Sequence, residues 1–332
     1  MLVKNGFEEY FDDLKESVYQ ALIRDYSFVK KPEINLLKFS ENITCLVTEN
    51  EHKYVLQINR IGYHNDEELK SELLWMQELA GQLDIEIATV YKGEDGELLH
   101  YIDSPKGNKY RYSVQSFVKG ESLRKMSGDK LYEQMQQLGK ITAKLHLISE
   151  KRTESKEKLK TFTWDIEDTL SENSRWGYYL ELWNMSIEEK SFFEKVNTKI
   201  KDRLLKYGRN ATNYGLIHAD LHSENILIDG ENIAVIDFDD CGYSWFLYDF
   251  ASAVSQFVDN IDELKKSFLK GYESIRKLKE IDKEMIDDMI LLRRLVRMGW
   301  MISHKDNGVF EREGERYYKK TYDMAKKYLE SK

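Results

Sequence analysis

Leu216-Ile217-His218-Ala219-Asp220-Leu221-His222-Ser223-Glu224-Asn225-Ile226-Leu227-Ile228-Asp229-Gly230-Glu231-Asn232-Ile233-Ala234-Val235-Ile236-Asp237-Phe238-Asp239-Asp240 is the densest polar cluster set among apolar residues in the chain. Two short apolar runs flank residues 229–232, whose Asp-Gly pair favours a tight turn, so the stretch reads as a β-hairpin. Pairing outward from Ile228 with Ile233 sets Asn225 opposite Ile236 and makes Asp237 its diagonal neighbour. Neighbouring antiparallel strands hold such residues about 5 Å apart, close enough for a carboxylate and an amide oxygen to share a hard cation such as Mg²⁺. Asp220 stands five residues before Asn225, in the loop that feeds the hairpin. Phosphoryl transfer asks for these parts: ligands that hold Mg²⁺ on the phosphates, and a carboxylate that orients the attacking hydroxyl and accepts its proton.

Outward from the hairpin, the chain changes character once. Residues 34–39, 43–48 and 53–59 read as strands separated by polar turns, after a helical lead-in over 1–30. A helix follows with Asn65 as N-cap, Glu68 as its capping-box partner, and apolar residues at Leu69, Leu73, Met76 and Ala80. Further strands are expected at 87–91, 97–102 and 110–117, the first two joined across Glu94-Asp95-Gly96. From Lys130 the apolar spacing becomes helical, with Leu131, Met135, Leu138, Thr142 and Leu145 on one stripe and long helical patterns near 189–207 and 260–330. The β interruption expected in this half is 225–228 with 233–238. The charged stretch 150–160 reads as a solvated linker. The fold class is therefore α+β and bilobal: a small antiparallel-sheet N-lobe over 1–117 and a larger, mainly helical C-lobe over 118–332, with the boundary near 116–120.

The order His-x-Asp-x4-Asn, with Ile236-Asp237-Phe238-Asp239 downstream, resembles the catalytic loop and metal-binding turn of the aminoglycoside phosphotransferase/choline kinase-like family. These are relatives of protein kinases and include type II-like homoserine kinases. The resemblance implies a protein kinase-like fold, ATP and Mg²⁺ as cofactors, Asp220 as catalytic base, and Asn225 and Asp237 as magnesium ligands. It implies that His218 braces the loop and that Asp249, in Leu247-Tyr248-Asp249-Phe250-Ala251, anchors the loop's backbone. In the N-lobe it implies a phosphate-covering turn at Ser40 and Asn42, a helix glutamate at Glu72, and adenine contacts from Gln115, Phe117 and Val118. Gln57 stands where the family usually has Lys or Arg on the third strand, so the phosphates lose an ionic partner. Arg60 points to the opposite face of an ideal strand and replaces that cation only if the strand ends or bulges first.

Other readings stay open at this level. The acids taken singly are ordinary solvating residues at hairpin ends. His218, Asp220 and His222 alternate as in some metallohydrolases, a reading that leaves Asn225 and Asp237 without a role. An active small-molecule kinase, a nucleotide-binding pseudokinase and a Ser/Thr protein kinase of the same fold are all compatible with Gln57.

The resemblance implies a small-molecule hydroxyl acceptor, among them aminoglycosides, choline, ethanolamine, homoserine and methylthioribose. Trp164, Asp165, Trp176, Tyr178, Tyr179, Trp183 and Trp300 suit an amine-bearing, cationic acceptor through cation–π and charge pairing, although core packing is the commoner use of such rings. Asp239, Asp240 and Tyr243 are the acceptor-side candidates nearest the metal turn. With 50 Lys plus Arg against 59 Asp plus Glu, the net charge of −9 gives no basic footprint for nucleic acid or anionic lipid. Cys45 and Cys241 lie far apart without metal-type spacing, and no apolar run reaches signal or membrane-spanning length, so a cytoplasmic protein is expected.

Overall fold

The computed structural model describes residues 2–39, 42–83, 86–155, 158–257, 259–305 and 308–330. It divides into two compact units. One comprises Met1–Gly120, Leu159–Thr161 and Ala234–Asp239; the other comprises Glu121–Lys158, Phe162–Ile233 and Asp240–Lys332.

The first unit contains α1 (Leu2–Asp25), β1 (Glu33–Phe39), β2 (Ile43–Glu49), β3 (His52–Ile58), α2 (Asp66–Ala80), β4 (Glu86–Ile87), β5 (His100–Asp103) and β6 (Lys109–Ser116). Five of these strands form an antiparallel sheet in the order β1-β2-β3-β6-β5. The two-residue period of β2 turns Ile43, Cys45 and Val47 to one face, where they pack with Leu56, Val114 and the α1 residues Val18 and Leu22. The register of β1 on β2 shifts between Leu36 and Lys38, a β-bulge. Helix α2 starts where its capping box directs: Asn65 Oδ1 accepts the Glu67 and Glu68 N–H groups, and Glu68 Oε2 accepts the Asn65 N–H, each at 3.0 Å. At the end of α1, Asp25 accepts the Tyr112 hydroxyl at 2.6 Å and pairs with Arg24, which ties the helix to β6.

Two expected strands are corrected. The 87–91 strand reduces to β4, outside the five-stranded sheet, and Val90 forms an isolated bridge to Gln115. Strand β5 pairs with β6 and not with β4. The Glu94-Asp95-Gly96 segment closes on itself instead, because Asp95 Oδ1 accepts the Glu97 N–H at 3.0 Å and lies 3.1 Å from His100 Nε2.

The second unit contains β7 (Glu121–Ser122), α3 (Gly128–Ser155), β8 (Phe162–Thr163), α4 (Ile166–Leu170), α5 (Tyr179–Leu182), α6 (Ile187–Tyr207), β9 (Tyr214–Ile217), β10 (Ile226–Asp229), β11 (Asn232–Val235), β12 (Gly242–Trp245), α7 (Leu247–Val254), α8 (Ile261–Ile275), α9 (Glu280–Glu284), α10 (Ile286–Ser303) and α11 (Val309–Glu330). The last two residues of β11 belong to the first unit and pair in parallel with β4. Helices α3 and α8 approach closely at Gly139 and Gly271, where an added Cβ would overlap the carbonyls of Phe268 and Gln136.

The hairpin is not the sole β structure of this half. Strands β9 and β12 pair antiparallel from Gly242↔Ile217 to Trp245↔Tyr214, and β8 pairs in parallel with β12. Four-residue strands buried on both faces, as β12 is, carry no alternation for a sequence to display. Strand β11 ends at Val235, so Ile236, Asp237 and Phe238 are not strand residues; Asp237 instead adopts a left-handed φ of 67°. The stretch 150–160 is also more ordered than a linker where it is described. Helix α3 runs to Ser155, and Lys160 donates its N–H to Ser71 Oγ at 3.1 Å and its Nζ to Glu67 at 2.6 Å. Among the described residues no helix is long and apolar enough to cross a membrane.

Candidate active site

In the second unit, β9 runs directly into the loop that carries Asp220, and a buried carboxylate fixes that loop from below. Asp249 on α7 accepts the His218 N–H on Oδ2 at 3.1 Å and the Ala219 N–H on Oδ1 at 2.7 Å. Ala219 has a φ of 66°, a left-handed conformation that is unfavourable by about 1–2 kcal/mol for a residue with a Cβ, and these bonds hold it there. A carboxylate only accepts, so His146 Nε2 donates to Asp249 Oδ2 across 3.1 Å, leaving His146 Nδ1 to accept the Tyr272 hydroxyl at 2.8 Å. Burial dominates at His146 and pushes its pKa below the usual 6.5 despite the neighbouring Asp249. The imidazole therefore braces the loop as a neutral ring, stacked 4.5 Å from Phe246.

The Asp220 carboxylate is held by three donors. Oδ1 accepts from Arg293 Nη2, while Oδ2 lies 3.3 Å from His222 Nε2 and 3.3 Å from Asn225 Nδ2. Asn225 Nδ2 also donates to the Asp220 carbonyl at 3.0 Å, which leaves its amide oxygen as the remaining coordinating atom. His222 Nδ1 accepts the Glu224 N–H at 3.1 Å, so Nε2 carries the proton that faces Asp220. Burial would push the Asp220 carboxyl up, but the electrostatic pull of the His222 ring and of the Arg293 guanidinium, with the His222 hydrogen bond, outweighs it and holds the group well below the usual carboxylate range. Arg293 is buried on α10, with its guanidinium 4.9 Å from the Trp176 ring centre and 5.6 Å from that of Tyr248. Three ring nitrogens that a hydrolase reading would use are engaged inside the loop: His218 Nδ1 accepts the Asp220 N–H at 3.2 Å, and both His222 nitrogens are placed as above.

The segment Ala234–Asp239 belongs to the first unit, and there Lys38 Nζ lies 3.9 Å from Asp237 Oδ2. Asp239 is buried, with Oδ1 3.3 Å from His64 Nε2, whose Nδ1 is 3.6 Å from Glu68. Gln57 is buried and its side-chain carbonyl accepts Gln115 Nε2 at 3.0 Å. Asn42 Oδ1 accepts the Arg60 N–H at 3.0 Å; β3 has ended at Ile58, and the Arg60 side chain is exposed. Ser40 lies outside the described residues. Glu72 is buried on α2. Ser116 pairs with Thr89 through its N–H at 2.8 Å and its Oγ at 2.9 Å, Val118 is buried, and Lys53 sits 5.6 Å above the Phe117 ring.

Of the acceptor-side candidates in the second unit, Asp240 gives its carbonyl to the Trp164 indole N–H at 2.8 Å, and Tyr243 is buried in β12 with Lys158 Nζ 4.4 Å above its ring. Trp164, Trp176, Tyr179 and Trp183 are buried. Several of these faces already carry the chain's own guanidiniums: Arg175 at Trp164, Arg293 at Trp176 and Arg297 at Trp300. Trp300 and Tyr178 are half-buried. Arg293 escaped sequence reasoning because it lies 73 residues from Asp220, inside a helical pattern where arginine reads as a solvated residue.

Residues 38–281 match the family described as "Phosphotransferase enzyme family". The chain belongs to that family. A solved structure described as a microcompartment-associated aminopropanol kinase is 31% identical, covers 95% of this chain and 98% of its own, and superposes with a TM-score of 0.84. The amicoumacin kinase of Bacillus subtilis (strain 168) is 24% identical over 91% of this chain and 89% of that protein. The amicoumacin kinase hAmiN, solved with AMP-PNP, Ca²⁺ and Ami, shares the fold with a TM-score of 0.75 at 20% identity, over 95% of this chain and 94% of that one. This member of the phosphotransferase family is a small-molecule kinase acting on a hydroxyl, with the α+β, protein kinase-like fold of these relatives.

Proposed function

We propose that this kinase uses Mg·ATP to phosphorylate the hydroxyl of a small amino alcohol, with Asp220 as the base and Asn225 and Asp237 as the magnesium ligands. The observation that carries the reading is the Asp220 carboxylate, held by Arg293, His222 and Asn225 on a loop whose backbone Asp249 fixes. The donor set suits a hard divalent cation. An amide oxygen and a carboxylate fit Mg²⁺, which is commonly held by one or two protein carboxylates together with waters and substrate phosphates. When bound, the cation would neutralise charge on the phosphates.

The chain's own residues do the rest. Arg293 and His222 keep Asp220 ionised, so a lone pair is available to accept a hydrogen bond from the acceptor hydroxyl and to aim its oxygen. A carboxyl held so low is a weak base towards a free alcohol. It takes the proton late, as the new P–O bond makes the hydroxyl acidic, which suits a loose transition state. Orientation is then the larger share of what Asp220 contributes. The amino-alcohol class is supported by the 31% identity with the aminopropanol kinase along nearly the whole chain. Asp240, half-buried and placed by its backbone carbonyl against the Trp164 indole N–H, is the carboxylate we assign to the ammonium group.

An acceptor panel of aminopropanol, ethanolamine, choline, homoserine and an aminoglycoside, followed by ADP release with Mg·ATP, tests the reading. The expected result is the highest kcat/KM on a short amino alcohol. A clear preference for homoserine or an aminoglycoside would overturn the acceptor class.

A further inference from the structure

Position 57 carries no charge where the family resemblance implies a third-strand cation, and the sheet of the first unit brings a lysine to the same row. Lys38 pairs with Thr44, Thr44 with Gln57, and Gln57 with Ser113, across β1, β2, β3 and β6. Directly paired residues point to one face of a sheet, so these four share the face opposite the one that α1 covers. Lys38 reaches that face through the bulge. Ile34 and Leu36 pair with Val47 and Cys45 on the α1 side, and an unbroken strand would put Lys38 there too. The shift between Leu36 and Lys38 reverses its direction. Its Nζ then lies 3.9 Å from Oδ2 of Asp237, the acid at the metal turn.

We propose that Lys38 supplies the phosphate-binding cation that Gln57 lacks. The inference rests on the reading of Asp237 as a ligand of the nucleotide-bound cation. Asp237 marks where that cation belongs, and a lysine beside it is within reach of the triphosphate that the cation accompanies. Gln57, with its carbonyl committed to Gln115 Nε2 at 3.0 Å, is buried and uncharged and serves the row as a spacer. Arg60, the other cation nearby in sequence, lies beyond the end of β3 and outside the paired row.

The test compares Lys38→Met, Lys38→Arg, Arg60→Met and the double variant Lys38→Met/Gln57→Lys, reading AMP-PNP affinity by calorimetry with Mg²⁺ and ATP turnover on the best acceptor of the panel. Lys38→Met is expected to weaken AMP-PNP binding about 10- to 100-fold. Lys38→Arg should restore most of the loss, and Gln57→Lys should restore part of it by returning the charge to β3. The Lys38 side chain is half exposed, so the thermal midpoint should stay that of the wild type. Wild-type affinity in Lys38→Met, or the loss appearing in Arg60→Met instead, would overturn the assignment. Asp220→Asn run alongside separates the two levels. If that variant loses turnover while Lys38→Met is normal, only the lysine assignment fails; if it keeps turnover, the kinase site itself is misread.

Discussion

At Asp220, three donors converge on one carboxylate, and their loss should fall on rate more than on nucleotide affinity. Replacing Arg293 with Met removes the guanidinium that keeps Oδ1 aimed, so kcat should drop by about 10²-fold or more with the KM for ATP little changed. Arg293→Lys should recover part of it, because one charged donor remains. Steady-state kinetics on the three proteins check this, and a loss confined to KM would contradict it. Asp237→Ala should remove the Mg²⁺ dependence of AMP-PNP binding, measured by titration with and without the cation. Asp220, Asn225 and Asp237 could be proposed from sequence because one short stretch of chain carries all three in a spacing that phosphoryl transfer explains. Arg293 and Lys38 could not. The first is far away in sequence, and the second owes its direction to a one-residue bulge that nothing in the residues 34–39 signals.

Among the elements, α3, α7 and α8 form the support of the Asp220 loop. His146 on α3, Asp249 on α7 and Tyr272 on α8 are joined by hydrogen bonds beneath His218 and Ala219. The close approach of α3 and α8 depends on Gly139 and Gly271. Gly271→Ala should therefore lower stability by about 1–3 kcal/mol or more, read from urea unfolding, because the colliding atom is backbone and cannot turn away. His146 gives a pH dependence with a definite sign. Its folded pKa lies below the usual 6.5, so the unfolded chain takes the proton more readily. Stability should be full above about pH 6.5 and fall as pH drops through and below it. His146→Gln should flatten that limb in melts between pH 7.5 and 5.5, and parallel curves for the two proteins would count against the account. The capping box of α2 was legible because its three polar atoms sit at fixed local spacing. Strands β9 and β12 were not, being four residues long and defined by pairing with each other, and the left-handed turn at Asp237 took the place of a longer strand because aspartate tolerates that conformation.

For the molecule as a whole, the chain's order and its division in space differ in one respect. A lobe boundary drawn near 116–120 follows the switch from strand-rich to helix-rich sequence. The two compact units also exchange short distant pieces, and the segment with Asp237 counts with the first unit while Asp220 and Asn225 count with the second. Composition and periodicity carry no trace of such an exchange, since it is made by tertiary contacts. Family membership over residues 38–281 and the full-length likeness to an aminopropanol kinase place both units in one phosphotransferase. The most direct test is Asp220→Asn assayed for ADP release with aminopropanol and Mg·ATP, alongside AMP-PNP affinity. The account predicts turnover lower by about 10²- to 10⁴-fold with affinity within about twofold of wild type; turnover left at the wild-type level would contradict it.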